Sequence, residues 1–175
     1  MYREPHDDRD DKKVWLSAAE VEQFLDVEET DRRLAFGLGL RSGLRSQEIV
    51  GVTPDDVAEG PQGTMLRVRE ENAKHGKYRE TPLPAGLATT IRTVADVRPK
   101  PSDDALVAVT TRTVRRWVAA RGEELAEETG EEGWRDVTAH DFRRTWATLL
   151  AGEEGVDALL VCQWGGWEDL ETFLD

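Results

Sequence analysis

The 175-residue sequence predicts an α+β, mainly helical domain with a small antiparallel β-sheet inserted among its helices. Three observations lead there. Apolar residues at helical spacing follow good N-cap residues at Ser17, Thr110 and Thr138. Two short runs, Met65 to Val68 and Tyr78 to Leu83, read instead as strands joined by a turn-rich segment. There is no internal repeat and no 18-residue apolar run, and the length suits one domain with its own core.

Each element has a local reason. Residues 1–14 are almost wholly charged or polar and lack the apolar run of a signal peptide, so they read as a charged flexible arm or linker remnant. The domain then runs over residues 15–175. Ser17-Ala18-Ala19-Glu20 is a capping box that opens a helix through Val21, Phe24 and Leu25. A second helix from Asp31 carries Leu34, Ala35, Leu38 and Leu40 to Gly43, which ends it. Ser46 is placed to cap a short third helix through Glu48, Ile49 and Val50, with Arg45 in the tight junction. Thr53-Pro54-Asp55-Asp56 reads as a cap and turn before the two strands, whose connection carries Asn72-Ala73-Lys74-His75-Gly76-Lys77.

Beyond Pro84 the pattern is helical through Leu87, Ile91 and Val94, breaks at Pro99 and Pro101, and leaves a short apolar run at Ala105 to Val109. Thr110 or Thr111 caps a long helix that ends at Gly130. That helix carries Arg112, Arg115, Arg116 and Arg121, a ridge suited to phosphate contacts or to a solvated face. Thr138 opens the helix bearing His140, another helix lies around Val156 to Cys162, and a last one begins near Glu168.

The net charge is −13 and the pI near 4.7, which by sign alone argues against nucleic acid. The kind of charge matters more. Of 23 basic residues only Lys12, Lys13, Lys74, Lys77 and Lys100 are lysine, against 36 Asp and Glu. That balance resembles proteins of salt-accumulating halophiles. A screening length of about 3 Å at 1 M salt removes long-range repulsion from DNA and spares contact pairs between arginine and phosphate. An acidic chain that binds another protein has the same balance, so acidity does not separate the two. One cysteine, Cys162, and three scattered histidines, His6, His75 and His140, give no disulfide and no metal-ligand spacing. The setting that follows is a reducing cytoplasm, without a metal.

The chemistry-bearing stretch is Thr138 to Thr148. His140 and Arg143 stand one turn apart on one face, near a helix start where backbone N–H groups and the helix dipole favour an anion. A phosphate suits that arrangement. Taken alone, the stretch also reads as an amphipathic helix whose Phe142, Trp146, Leu149 and Leu150 face a core. Its weight comes from other motifs.

Leu44-Arg45-Ser46-Gln47-Glu48, Lys74 ahead of Gly76-Lys77-Tyr78-Arg79 and Pro82-Leu83, His140 with Arg143, and Gly165-Gly166-Trp167 stand in sequence order. Together they resemble the boxes of the tyrosine recombinase, or phage integrase, catalytic domain, most closely of its haloarchaeal type. The resemblance covers roughly residues 15 to 175. It implies the tyrosine recombinase catalytic fold, double-stranded DNA as partner, and site-specific recombination or integration by transesterification without a cofactor. It implies a tetramer on DNA for the full-length protein, a monomer for this fragment, and no membrane.

Breaking a phosphodiester builds charge on the non-bridging oxygens and on the departing sugar oxygen, and each needs a partner. The resemblance assigns Arg45 and Arg143 to the phosphate, where two planar guanidiniums offer paired donors. It assigns Lys74 to protonate the leaving 5′ oxygen, with Lys77 the other candidate. His140 then donates to a phosphate oxygen or shuttles the nucleophile's proton. Trp167 buttresses the site, and Glu48 orients Arg45. Pairing of Arg45 with Glu48 on a helix surface is the lesser alternative, Trp167 equally reads as core, and His75 reads as a solvated loop residue. The family's nucleophile is a tyrosine, and neither Tyr2 nor Tyr78 has its spacing. The expected position falls just past Asp175, so the chain reads as a truncated catalytic domain that binds DNA and does not cleave it. A nucleophile-free DNA-binding regulator and an acidic helical protein-interaction module are the alternatives.

Overall fold

The computed structural model describes all residues except 6–11, 62, 74, 75, 99, 100, 102 and 175. The chain begins with two paired strands, β1 (Tyr2–Pro5) and β2 (Lys12–Trp15), in antiparallel register from Tyr2 opposite Trp15 to Pro5 opposite Lys12. The expected flexible arm over residues 1–14 is therefore corrected where described. Val14 is fully buried and its N–H donates to the Asp141 carboxylate at 3.1 Å, while Leu16 N–H donates to Thr145 Oγ1 at 3.0 Å. Buried side-chain acceptors on a later helix hold the chain in place at Val14 and Leu16.

Helix α1 (Ala18–Leu25) starts with the expected capping box, Ser17 N–H donating to Glu20 at 2.8 Å. Helix α2 (Thr30–Ser42) is buried on nearly every face from Leu34 to Leu40, as suits a central helix. One side, with Leu34 and Leu38, packs with Leu66, Ala88 and Ile91; the other, with Phe36 and Leu40, packs on Phe24, Trp134 and Phe142. Gly43 ends α2 at φ +68°, and α3 (Ser46–Ile49) follows at once. The expected Ser46 cap is corrected. Arg45 holds the cap position because the Glu48 carboxylate reaches back to its backbone N–H at 2.8 Å, leaving Ser46 as the first helical residue.

The small sheet has three antiparallel strands, one more than expected: β3 (Val57–Gly60), β4 (Gly63–Val68) and β5 (Arg79–Pro82), with β4 central. Thr81 on β5 donates its hydroxyl to Ser42 O at 2.9 Å, which fastens the sheet to the end of α2. Helix α4 (Ala85–Val97) lays Ala88 and Ile91 into the same core. Helix α5 (Thr111–Thr129) is capped by the Thr110 hydroxyl, which accepts from Thr113 N–H at 3.2 Å, and ends at Gly130. Helix α6 (Ala139–Thr148) carries a second capping box, Thr138 N–H to Asp141 at 2.8 Å. A π-helical turn, Leu149–Glu153, leads to α7 (Ala158–Gly165) and α8 (Leu170–Leu174). No helix among the described residues is long and apolar enough to cross a membrane.

Candidate active site

A cleft of about 830 Å³ opens between α3, α5 and the start of α6, with Arg45, Arg115, His140, Arg143 and Arg144 in its walls. Gly43 brings Arg45 there. At φ +68° the chain reverses against Trp146, and a Cβ at this position would lie 2.3 Å from the indole. Only glycine tolerates both the backbone and the contact. Arg45 Nη1 donates to Glu48 Oε1 at 3.0 Å, and its Nη2 reaches Gly166 O at 3.4 Å. The expected pairing with Glu48 and a place in the cleft thus hold together.

Glu48 is 1% exposed, so its charge needs partners. Arg79 supplies two further donors, Nη1 to Oε1 and Nη2 to Oε2, each at 2.8 Å. Burial pushes the Glu48 carboxyl up, but the hydrogen bonds and charge of Arg79, with the Arg45 backbone N–H, outweigh it and hold the pKa below the ordinary range.

Arg143 is 2% exposed. Its Nη1 donates to Gly43 O at 3.2 Å, while its buried Nη2 has no partner. The Trp167 ring lies 3.5 Å from its guanidinium carbon, a cation–π contact, and Trp167 in turn stacks on Trp146 and meets Phe173 edge-on. Gly165 makes room for that ring, since a Cβ there would fall 1.8 Å from it. Burial first, then the charges of Arg45 and Arg79, push the Arg143 pKa down, and Glu48 offsets part of this. An arginine stays charged at neutral pH regardless. The result is a buried cation with one donor unspent.

His140 opens into the cleft. Displacement of water by the surrounding protein, followed by the charge of Arg144, pushes its pKa down to about 4 despite Asp141 nearby, so the ring is neutral at pH 7. Arg144 Nη1 is held by Asp141 Oδ1 at 2.7 Å.

The structure brings Arg45, Glu48, His140 and Arg143 together, with Trp167 beneath Arg143. Lys74 and His75 lie outside the described residues; Asn72, two positions earlier, lines the cleft and donates to Gly51 O at 3.1 Å. Lys77 is exposed. Of the α5 ridge, Arg115 reaches the cleft wall, whereas Arg112 and Arg116 are exposed elsewhere on the helix. Arg121 is corrected: it is buried and donates to Gln23 O and Asp26 O at 2.8 and 2.9 Å, closing the end of α1. Arg79, quoted within the lysine box, had no expected role. Its sequence neighbours give no signal of Glu48, 31 positions away. Tyr2 packs on Trp15 and Tyr78 donates to Glu80 at 2.6 Å; neither lines the cleft.

A second cavity of about 780 Å³ lies between α1, α2 and α4, but its cations are already engaged, Arg41 with Glu22 and Arg33 with Glu28 O. Arg32 Nε, Arg121 Nε and Trp134 Nε1 are also buried without a partner among the described residues, but of these donors Arg143 Nη2 is the one belonging to a residue of the first cleft.

Residues 14–174 match the phage integrase family. Among solved structures, XerA recombinase superposes with a TM-score of 0.73 at 22% identity, over 91% of this chain and 58% of its own. The XerH site-specific recombinase bound to its difH substrate gives 0.70 at 21% identity, over 91% and 48%. The Tn1549 transposon integrase in complex with transposon right end DNA gives 0.71 at 19%, over 97% and 62%. At such identities the likeness establishes the fold, and the chain spans about half to three fifths of the length of these structures. No curated protein matches the sequence.

Proposed function

Given that the chain belongs to the phage integrase family of tyrosine recombinases and has its catalytic fold, we propose that the cleft seats one phosphodiester of double-stranded DNA and serves strand exchange by transesterification. The observation that carries this reading is the convergence of Arg45, His140, Arg143 and Arg144 on one cleft in which Arg143 keeps a buried donor unpaired. A buried unsatisfied guanidinium costs stability unless a ligand completes it, and an anionic oxygen is the fitting ligand. The grouping of Arg45, His140 and Arg143 supports this reading over an acidic interaction module, which has no use for such a cluster.

In this reading Arg45 and Arg143 bind the non-bridging oxygens and stabilise the charge that grows on them. A tyrosine oxygen attacks phosphorus, the bond to the 5′ oxygen breaks, and that oxygen takes a proton from Lys74. Neutral His140 is able to accept the tyrosine's proton. Trp167 fixes the plane of Arg143 by stacking. Tyr2 and Tyr78 are both outside the cleft, so this reading assigns neither as the nucleophile, and these 175 residues bind DNA without cutting it. The same reading gives the full-length protein a tetrameric assembly on DNA, and its acidic, arginine-rich composition a brine in which to work.

The position of the two tyrosines equally favours a second reading, a DNA-binding regulator that never cleaves. Both readings require that Arg45→Ala weaken duplex binding by about tenfold, the loss typical of a charged hydrogen-bonding group. Unchanged affinity, measured by fluorescence anisotropy on a folded variant, rules out both. A suicide substrate incubated with the full-length protein separates them: a covalent DNA adduct marks the recombinase, and a protein that binds the substrate with no adduct marks the regulator.

A further inference from the structure

Building on the phosphate-binding reading of the cleft, we propose that Arg79 is a positioning residue: by neutralising and clamping Glu48 it leaves the Arg45 guanidinium aimed at, and charged toward, the DNA phosphate. Arg79 sits at the start of β5 with its side chain 8% exposed. All three of its donor positions are used. Nη1 and Nη2 grip the two oxygens of Glu48 at 2.8 Å, and Nε donates to Trp164 O at 2.8 Å. Arg45 approaches the same carboxylate through its backbone N–H and Nη1, and touches the same turn through Gly166 O. Arg45, Glu48, Arg79 and the turn after α7 therefore close a ring.

The turn is shaped for this. Gly166 has φ +67°, and a Cβ there would lie 2.9 Å from Arg79 Cδ, so the backbone passes directly over the arginine stem. Arg79 itself is behind the cleft, facing a separate hollow with Gly60, Gln163 and Trp164, so it reaches no phosphate directly.

Charge balance explains why a second arginine is needed. A lone pair of Arg45 and buried Glu48 would be neutral, and the carboxylate would draw both Nη groups of Arg45 onto itself. With Arg79 taking both carboxylate oxygens, the trio carries a net positive charge and Arg45 meets the carboxylate through one Nη, its other Nη making only the long 3.4 Å contact to Gly166 O. Lysine cannot substitute, because one ammonium cannot fork across a carboxylate and also meet Trp164 O.

The test is duplex-DNA binding by anisotropy over a salt series, with thermal unfolding followed in parallel, for Arg45→Ala, Arg79→Met, Arg79→Lys and the Arg45→Ala, Arg79→Met double variant. We expect Arg45→Ala and Arg79→Met each to weaken binding by about tenfold and to reduce the salt slope by about 0.9, one lost phosphate contact. The double variant is expected to bind no worse than Arg45→Ala, since Arg79 acts through Arg45. Arg79→Lys is expected to stay weak despite its charge. Folded Arg79 variants that bind like the parent overturn the proposal while leaving the DNA reading intact. So do additive losses in the double variant, which would make Arg79 an independent contact. An Arg45→Ala variant with parental affinity removes the DNA reading itself. Should Arg79→Met fail to fold, Arg79→Lys decides alone: weakened binding supports the proposal and parental binding overturns it.

Discussion

The two faces of α6 are built on opposite terms. Toward α1 and α2, Phe142 meets Phe24 and Phe36 edge-on at 5.0 and 5.9 Å, and a Cβ on Gly39 would come within 2.7 Å of its ring. That side is apolar packing, in which the Nε1 of Trp134, beside Phe24, is the one buried donor of the cluster's rings left without a partner among the described residues. Toward the cleft, the same ten-residue helix presents His140, Arg143 and Arg144, with a buried donor unpaired and a histidine held neutral. One face supplies stability and the other retains unmet capacity for an anion. The rigid face is what lets the polar face keep its geometry. Asp141 and Thr145 add to that by taking backbone N–H groups from β2 and the residue after it.

The largest way to break this division is Phe142→Ala. It should destabilise the fold by about 3–5 kcal/mol, the range for a fully buried phenylalanine, seen as a lower denaturation midpoint at unchanged slope. Arg143→Met should do the reverse, leaving stability within about 1 kcal/mol or raising it, while duplex binding drops by tenfold or more. If Arg143→Met unfolds the protein as badly as Phe142→Ala, the separation of roles between the faces is wrong.

His140 sharpens the comparison through pH. Its free-state pKa of about 4 lies below the ordinary 6.5, so the folded protein disfavours the charged ring, and stability falls as pH drops through the window from 6.5 to 4. A bound phosphate reverses the sign of the local field and should raise the pKa toward 6.5. Affinity for DNA should then rise by on the order of tenfold from pH 7 to pH 5, with uptake of one proton. Imidazole resonances followed by NMR with and without duplex give both pKa values directly. A His140→Gln variant should lose the pH dependence, and an unshifted His140 on DNA would separate the ring from the phosphate.

How far this was legible in the sequence depended on the reach of each interaction. Ser17 with Glu20, Thr138 with Asp141, Thr110 as one of the two cap candidates of α5, and the glycines at 43 and 130 act within one helical turn, and the structure has them where the local pattern predicts. The clustering of Arg45, His140 and Arg143 was legible only through the resemblance, because no local signal spans a hundred residues. Strand β3 was missed because Val57-Ala58-Glu59-Gly60 has little strand propensity, and pairing with β4 decides it. The β1–β2 hairpin was missed for a similar reason: its charged composition hides the buried Val14 and the acceptor that Asp141 offers. Arg121 shares its spacing with the other arginines of α5, yet the carbonyls it closes off belong to α1.

The same arginine ridge gives the finest test. Arg115 lines the cleft and Arg116, its neighbour, is exposed off it, so the two have equal charge and nearly equal distance along α5. Helical geometry turns successive side chains by about 100°, which separates them around the axis. If phosphates run through the cleft and past its α5 wall, Arg115→Ala should weaken duplex binding by about two- to fivefold and lower the salt slope by about 0.9. Arg116→Ala should change neither by more than the small, salt-screened effect of net charge. Equal losses for both would mean that the DNA lies across the outside of α5, and that the cleft, for all its cations, is beside the path of the backbone.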